Sequence, residues 1–246
     1  MTALGILYPG HPAEDDYPRI EQLLGSDIRV DLVRTEGEER LRGATREDVL
    51  RELGAPQRLA AGVEELRLAG AEAVVWASTE GSFVHGWDGA LEQARSLAVA
   101  AGMPASSTAI GFVHAARELG VRRVAVGSTA PREVTALFGQ FLRAAGLEVV
   151  SVRAGAGGAA ADGAGWGEAE LRGLVGEADH PDAEALLLPD AALRTAAHLT
   201  TLERGPGKPV LTASQVTVWE GLRLADRRVN APVLGALFTR EPLVQA

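Results

Sequence analysis

Short apolar runs alternate with longer amphipathic segments along the chain, the pattern of an α/β protein with parallel strands. The apolar runs predict strands at Ala3–Tyr8, Ile28–Val33, Ala73–Ala77, Val121–Val126, Glu148–Val152, Ala185–Leu188 and Pro209–Thr212. Helical spacing predicts Tyr17–Leu24, Arg46–Ala69, Ala90–Ala101, Ala109–Leu119, Arg132–Ala145, Glu168–Glu177, Leu193–Leu202 and Ser214–Ala225. Gly70, Gly102, Gly120 and Gly146 follow helical stretches and fit left-handed stops. Strand, polar turn and helix recur at similar spacing on both sides of residue 107. This predicts two Rossmann-like lobes with parallel sheets, over 1–106 and 107–225, and a tail over 226–246. The default ligand site is the interlobe cleft at the C-terminal ends of the strands. The stretch 153–167 is almost all Gly and Ala and reads as a mobile surface loop or a lid over that cleft.

The composition narrows the function. The 246 residues carry a formal net charge of −9, which argues against a nucleic-acid partner. No apolar run reaches the roughly 18 residues of a membrane span, so no membrane partner is expected. The N-terminal segment lacks a cationic lead before its apolar stretch, so cytoplasmic residence is expected. There is no cysteine, which removes disulfides, thiolate metal sites and any thiol nucleophile.

Candidate chemistry sits at strand ends. Ser78-Thr79-Glu80-Gly81-Ser82-Phe83 follows the third strand and offers hydroxyls and backbone N–H groups to a carboxylate, although such residues also serve as ordinary turns and caps. Asp190, in Leu188-Pro189-Asp190-Ala191-Ala192-Leu193-Arg194-Thr195, reads as a helix cap or as a catalytic carboxylate. Ser106-Ser107-Thr108 precedes a helix and holds a cap or a cleft residue. His11, in the loop after the first strand, is a surface histidine or an acid–base group. The five histidines show no metal-ligand spacing, and no phosphate-cradling glycine motif follows the first strand.

Together these stretches resemble the maleate cis-trans isomerase and arylmalonate decarboxylase branch of the aspartate/glutamate racemase superfamily. ASTEGSF at Ala77–Phe83 is similar to A-C-T-S-G-S-F, and GMPASST at Gly102–Thr108 to G-[IM]-P-x-x-T-T. LPDAALRT at Leu188–Thr195 is similar to S-C-T-x-L-R-T, and GKPVLTASQVTVW at Gly207–Trp219 to G-K-P-V-x-x-S-N-Q-A-x-x-W. The resemblance implies carbon-acid or alkene chemistry beside a carboxylate, without cofactor or metal, in a homodimer. The two cysteine positions of that branch fall on Ser78 and Asp190, a small hydroxyl residue is replaced by Glu80, and the tyrosine after the fourth strand is missing from the turn Gly127–Pro131. The expectation is an isomerase, racemase or decarboxylase acting on a small carboxylate. Its catalytic residues would be Ser78, Asp190 and His11, with Thr79, Glu80, Gly81, Ser82, Ser107, Thr108 and Ala191 around the substrate. A serine-dependent hydrolase using Ser78, His11 and Asp190, or a small-acid binding protein without catalysis, is the alternative.

Overall fold

The computed structural model describes residues 1–25, 27–35, 45–155, 163 and 165–239. Two four-stranded parallel sheets carry the fold. The first has the order β2 (Ile28–Arg34), β1 (Thr2–Tyr8), β3 (Ala73–Trp76), β4 (Ala105–Ser107). The second repeats that order with β6 (Glu148–Gly155), β5 (Arg123–Pro131), β7 (Ala185–Leu188), β8 (Val210–Thr212). Each sheet is thus a doubly wound unit whose topological switch lies beside its first strand.

The central strands are apolar on both faces, as parallel strands covered by helices must be. Leu4, Ile6 and Val75 face one large core, which also takes Val124, Val126 and Leu187 from the second sheet. Leu7, Val74 and Trp76 face outward to a cluster with Leu59, Val63, Leu66 and Leu97. Ala125, Leu186 and Leu188 face a third cluster with Leu171, Leu174 and Val175. One continuous core therefore joins the lobes, and two smaller ones close their outer faces. Helices α6 (Thr108–Leu119) and α10 (Ala213–Leu224) pack on each other between the sheets, and α10 returns from the last strand to lie on β3 and β4.

Several predicted boundaries move, each for a physical reason. The helix predicted over 46–69 is two helices, α2 (Arg46–Leu53) and α3 (Pro56–Leu68). Pro56 has no N–H to give and starts α3 at its first turn, while it pushes Ala55 out of the helical region. Strand β4 is absent from the predicted set because three residues, two of them serine, carry no apolar period; pairing in register with Val74–Trp76 makes it a strand. The helix predicted from Leu193 starts only at Leu199, as α9 (Leu199–Arg204). The amides of Thr195 and Ala196 bond the Asp16 carboxylate instead of continuing a helix. Gly70, Gly102, Gly120 and Gly146 all have positive φ, as predicted for helix stops. Arg153, Ala154 and Gly155 belong to β6, and the centre of the predicted Gly/Ala loop lies outside the described residues.

Candidate functional site

The C-terminal ends of β3, β5 and β7 converge on one narrow pocket of about 10 Å³, room for little more than a single water molecule. The end of β3 runs into α4 (Glu80–Phe83), a single helical turn, which contributes Glu80 and Phe83. The end of β5 contributes Ser128 and Ala130, and α7 (Arg132–Ala144) adds Val134, Thr135 and Phe138. Pro189 and Asp190, immediately after β7, close the far side.

Asp190 is half-buried, and its carboxylate is held by the turn after β5. Oδ1 accepts from the Ser128 hydroxyl at 2.9 Å, the Thr129 hydroxyl at 2.9 Å and the Thr129 amide at 3.2 Å. Oδ2 takes only the long 3.3 Å contact from the same amide. Burial raises the carboxyl to a pKa of about 6; the Ser128 and Thr129 donors oppose that rise and the Glu80 charge adds to it. The turn is held in place by close packing. A Cβ on Gly155 of β6 would lie 1.9 Å from the Thr129 carbonyl oxygen, so only glycine lets the edge strand approach there.

Glu80 faces the same pocket and is paired from outside by Arg46 of α2 at 3.0 Å. Its turn is pinned from behind. Gln93 of α5 (Gly86–Ala101) donates to the carbonyls of Gly54 and Gly81 at 2.9 and 3.0 Å. A Cβ on Gly54 would lie 2.4 Å from both Gln93 Nε2 and the Gly81 oxygen, so the break between α2 and α3 fits against α4 only as glycine.

The remaining predicted residues divide into groups. Ser78 is buried, and its Oγ accepts from the Gly81 amide at 3.0 Å, which caps the α4 turn. The Thr79 hydroxyl donates to the Pro189 carbonyl at 2.8 Å and so ties the two strand ends together across the cleft. Ser82 and Ser107 share a 2.8 Å hydroxyl bond, and Ser107 also accepts from the Ile110 amide as the cap of α6. The Thr108 and Thr217 hydroxyls share a 2.6 Å bond. Ala191 is half-buried in the turn after Asp190. His11 lies in a separate open depression with Glu14, Asp15, Arg34 and Arg194. The structure thus brings Asp190 and Glu80 to one pocket, places the buried hydroxyls in a bonded lattice behind it, and sets His11 elsewhere. Ser128, Thr129 and Phe138 were not among the predicted site residues. The signal for the first two was present: they occupy the turn where the expected tyrosine is missing.

A second set of contacts fixes the Asp190 loop. Asp16, at the start of α1 (Asp16–Leu24), accepts from the Thr195 amide at 2.8 Å, the Ala196 amide at 3.1 Å and the Ser214 hydroxyl at 2.7 Å. Arg194 pairs with Asp15 at 2.8 Å. Among the described residues no group of three acidic or imidazole side chains is gathered to hold a metal ion, and no helix is long and apolar enough to cross a membrane.

The family model described as arylmalonate decarboxylase matches residues 53–238. No curated protein matches the sequence. Among solved structures, the maleate isomerase Iso from Pseudomonas putida S16 superimposes with a TM-score of 0.84 at 20% identity, covering 97% of this chain and 98% of that one. An arylmalonate decarboxylase gives 0.75 at 23% identity, over 98% and 100% of the two chains. The Nocardia farcinica maleate cis-trans isomerase bound to Tris gives 0.80 at 19% identity, over 97% and 98%. At these identities the superpositions speak for a shared fold.

Proposed function

The chain belongs to the arylmalonate decarboxylase family, and from that premise we propose that it is a cofactor-independent lyase or isomerase in which Asp190 transfers a proton at a carbon next to a substrate carboxylate. The observation that carries this reading is the Asp190 carboxyl itself, held at a strand-end pocket with a pKa of about 6. A group poised there is available in both protonation states near neutrality, which is what proton transfer to and from carbon requires. In decarboxylation the bond between the α-carbon and the departing carboxylate breaks, CO₂ leaves with no proton of its own, and the enediolate takes its proton from Asp190. In racemisation Asp190 removes the α-proton, and water on the opposite face of the enediolate returns one to the carbon. Ser128 and Thr129 fix Asp190 through Oδ1, so that Oδ2 is the atom left to carry the proton.

In this reading the lobes over 1–106 and 107–225 enclose the substrate, and a cytoplasmic homodimer carries over from the resemblance. Ser78 serves to cap the turn that presents Glu80. The hydrolytic reading draws no support from this arrangement, because the Ser78 Oγ is engaged by the Gly81 amide and His11 lines another depression.

The test is proton NMR in D₂O with a panel of small acids, including maleate, aspartate, glutamate and malonates. Solvent deuterium is expected on the α-carbon of a substrate or product with the wild-type chain. Asp190→Asn is expected to lose about 10²–10⁴-fold of that rate with its circular dichroism unchanged. Equal activity in Asp190→Asn, or no exchange with any acid, overturns the proposal. Where Asp190 acts as the donor, the rate falls as pH rises through about 6, because the donating form is then lost.

A further inference from the structure

A second pocket, of about 100 Å³, lies at the C-terminal end of α10. Ser214, which bonds the Asp16 anchor, stands at the other end of that helix. Twelve helical residues span about 18 Å, so the two ends carry separate sites. The floor of this pocket is apolar: Leu222, Leu237 and Phe238 are buried there and Trp219 is half-buried. Around the floor stand the exposed Arg223, Arg227 and Arg228, with Asp226 and Glu118. The guanidinium groups outnumber the carboxylates, and most of their donors are unspent. Arg223 gives Nε and Nη2 to the buried Glu220 at 2.7 and 2.9 Å, which leaves its Nη1. Arg228 lies 3.8 Å from Glu118, beyond hydrogen-bond length. Arg227 forms no ion pair among the described residues. The end of α10 does not compete for these donors, because its last carbonyls are already bonded. The Arg227 amide donates to the Leu222 carbonyl at 2.8 Å and the Asp226 amide to the Arg223 carbonyl at 3.2 Å. Asp226 takes the left-handed position of this closure, at φ 52°, and the sharp turn returns Arg227 and Arg228 to the pocket edge.

We propose that this pocket binds a small aromatic monocarboxylate, with the ring on the Trp219 and Phe238 floor and the carboxylate on the Arg227 and Arg228 guanidinium groups. Planar guanidinium forks match a carboxylate through paired, charge-assisted hydrogen bonds. A flat ring meets the aromatic floor in offset or edge contact. Volume sets the size of the ligand. A dry cavity of about 150 Å³ holds a benzene ring. A pocket of about 100 Å³ therefore seats one ring whose acid group reaches the rim. Sites for larger ligands begin at about 300 Å³, which excludes a nucleotide. Charge sets the other limit. Three guanidinium groups against two carboxylates leave the lining one positive charge in excess, which a monoanion matches and a second negative charge overfills. An organic amine finds the same floor but meets the guanidinium groups at its rim. The inference stands apart from the Asp190 reading, because it concerns a different pocket and holds whatever reaction occurs at the strand ends.

The experiment follows the indole N–H signals of the full chain by nitrogen-15 NMR at neutral pH. The chain has four tryptophans, and Trp219→Phe identifies the signal of Trp219. Benzoate, benzylamine and acetate are the probes: the second reverses the charge and the third lacks the ring. Benzoate is expected to shift the Trp219 signal saturably below about 10 mM, and the other two to bind about tenfold or more weakly. The double variant Arg227→Gln, Arg228→Gln is expected to lose about tenfold of benzoate affinity with its circular dichroism unchanged. A Trp219 signal that benzoate leaves in place overturns the proposal, as does benzylamine or acetate binding as tightly as benzoate. Wild-type benzoate affinity in the folded double variant overturns it too. Should the double variant not fold, Arg227→Gln alone and the order of the three probes decide.

Discussion

Asp16 and Asp190 are both carboxylates withdrawn from water, and both gather several donors, yet their surroundings differ in one respect. The three donors of Asp16 all converge on Oδ2 from the 195–196 backbone and α10, and the side chain lies sealed at the lobe junction with 4% of its surface exposed. The donors of Asp190 crowd Oδ1 and leave Oδ2 with one long contact, and the residue lines a pocket that a second carboxylate shares. Burial raises the pKa of both groups. What separates them is access: one carboxylate is an anchor for the loop, and the other stands at the open end of the same loop. A third case marks the opposite limit. Glu220 is fully buried, but Arg223 and His114 bond it and hold its carboxyl below the usual range, so it stays charged and structural.

The comparison breaks first if the anchor is dispensable. Asp16→Ala strands two buried amides and a hydroxyl, and the expected loss of stability is about 3 kcal/mol or more in urea unfolding. A change below about 1 kcal/mol would mean that Asp16 does not hold the loop.

The pocket carboxylate is expected to behave in the opposite way. The folded state binds the Asp190 proton more tightly than the unfolded chain, because its pKa is raised from 3.8 to about 6. Stability therefore falls as pH rises across that interval, and the full penalty persists above it. Replacing the group by a neutral isostere removes the penalty. Asp190→Asn is expected to be more stable than wild type at pH 7 by on the order of 1–3 kcal/mol, with the gap closing below about pH 4. Thermal melts across pH check this, and an Asp190→Asn that melts lower at pH 7 would show that the carboxylate is held favourably after all.

Two smaller effects sharpen the picture around Asp190. Gly155→Ala forces the Thr129 turn to move and is expected to cost about 1–3 kcal/mol, with chemical-shift changes centred on 128–130 and 190. Ser128→Ala removes a donor that stabilises the charged carboxylate, so the Asp190 pKa moves up, whereas Glu80→Gln removes a repelling charge and moves it down. Carboxyl-carbon NMR titration reads both directions, and shifts of the same sign would contradict the assigned causes.

Much of this fold was legible in the chain. Seven of the eight strands among the described residues follow from apolar runs long enough to cross a buried sheet, and the positive-φ glycines mark helix ends. Strand β4 and the delayed start of α9 were not legible, because each is imposed by a distant partner: the β3 backbone in one case and Asp16 in the other. The site was legible as a set of strand ends and not as a division of labour. Ser78, Thr79, Ser82, Ser107 and Thr108 look like ligand-facing hydroxyls in one dimension, but in three they bond each other, backbone amides and the opposite strand end. Ser128 and Thr129 lie 62 and 61 positions from Asp190, a separation across which no local pattern can show a contact.

The sequence by itself determined that the chain alternates buried strands with amphipathic helices, that thiol chemistry is absent, and that Ser78 and Asp190 stand at the two positions where the resemblance would put thiols, with Glu80 where it would put a small hydroxyl residue. These are properties of residue type and period, which a linear pattern records. The tertiary structure alone decided which of those groups share a pocket, which of Asp190's oxygens is already occupied, and how far its proton affinity is raised. Desolvation and Coulomb interaction depend on distances through space between residues far apart in the chain, and only the folded packing sets those distances.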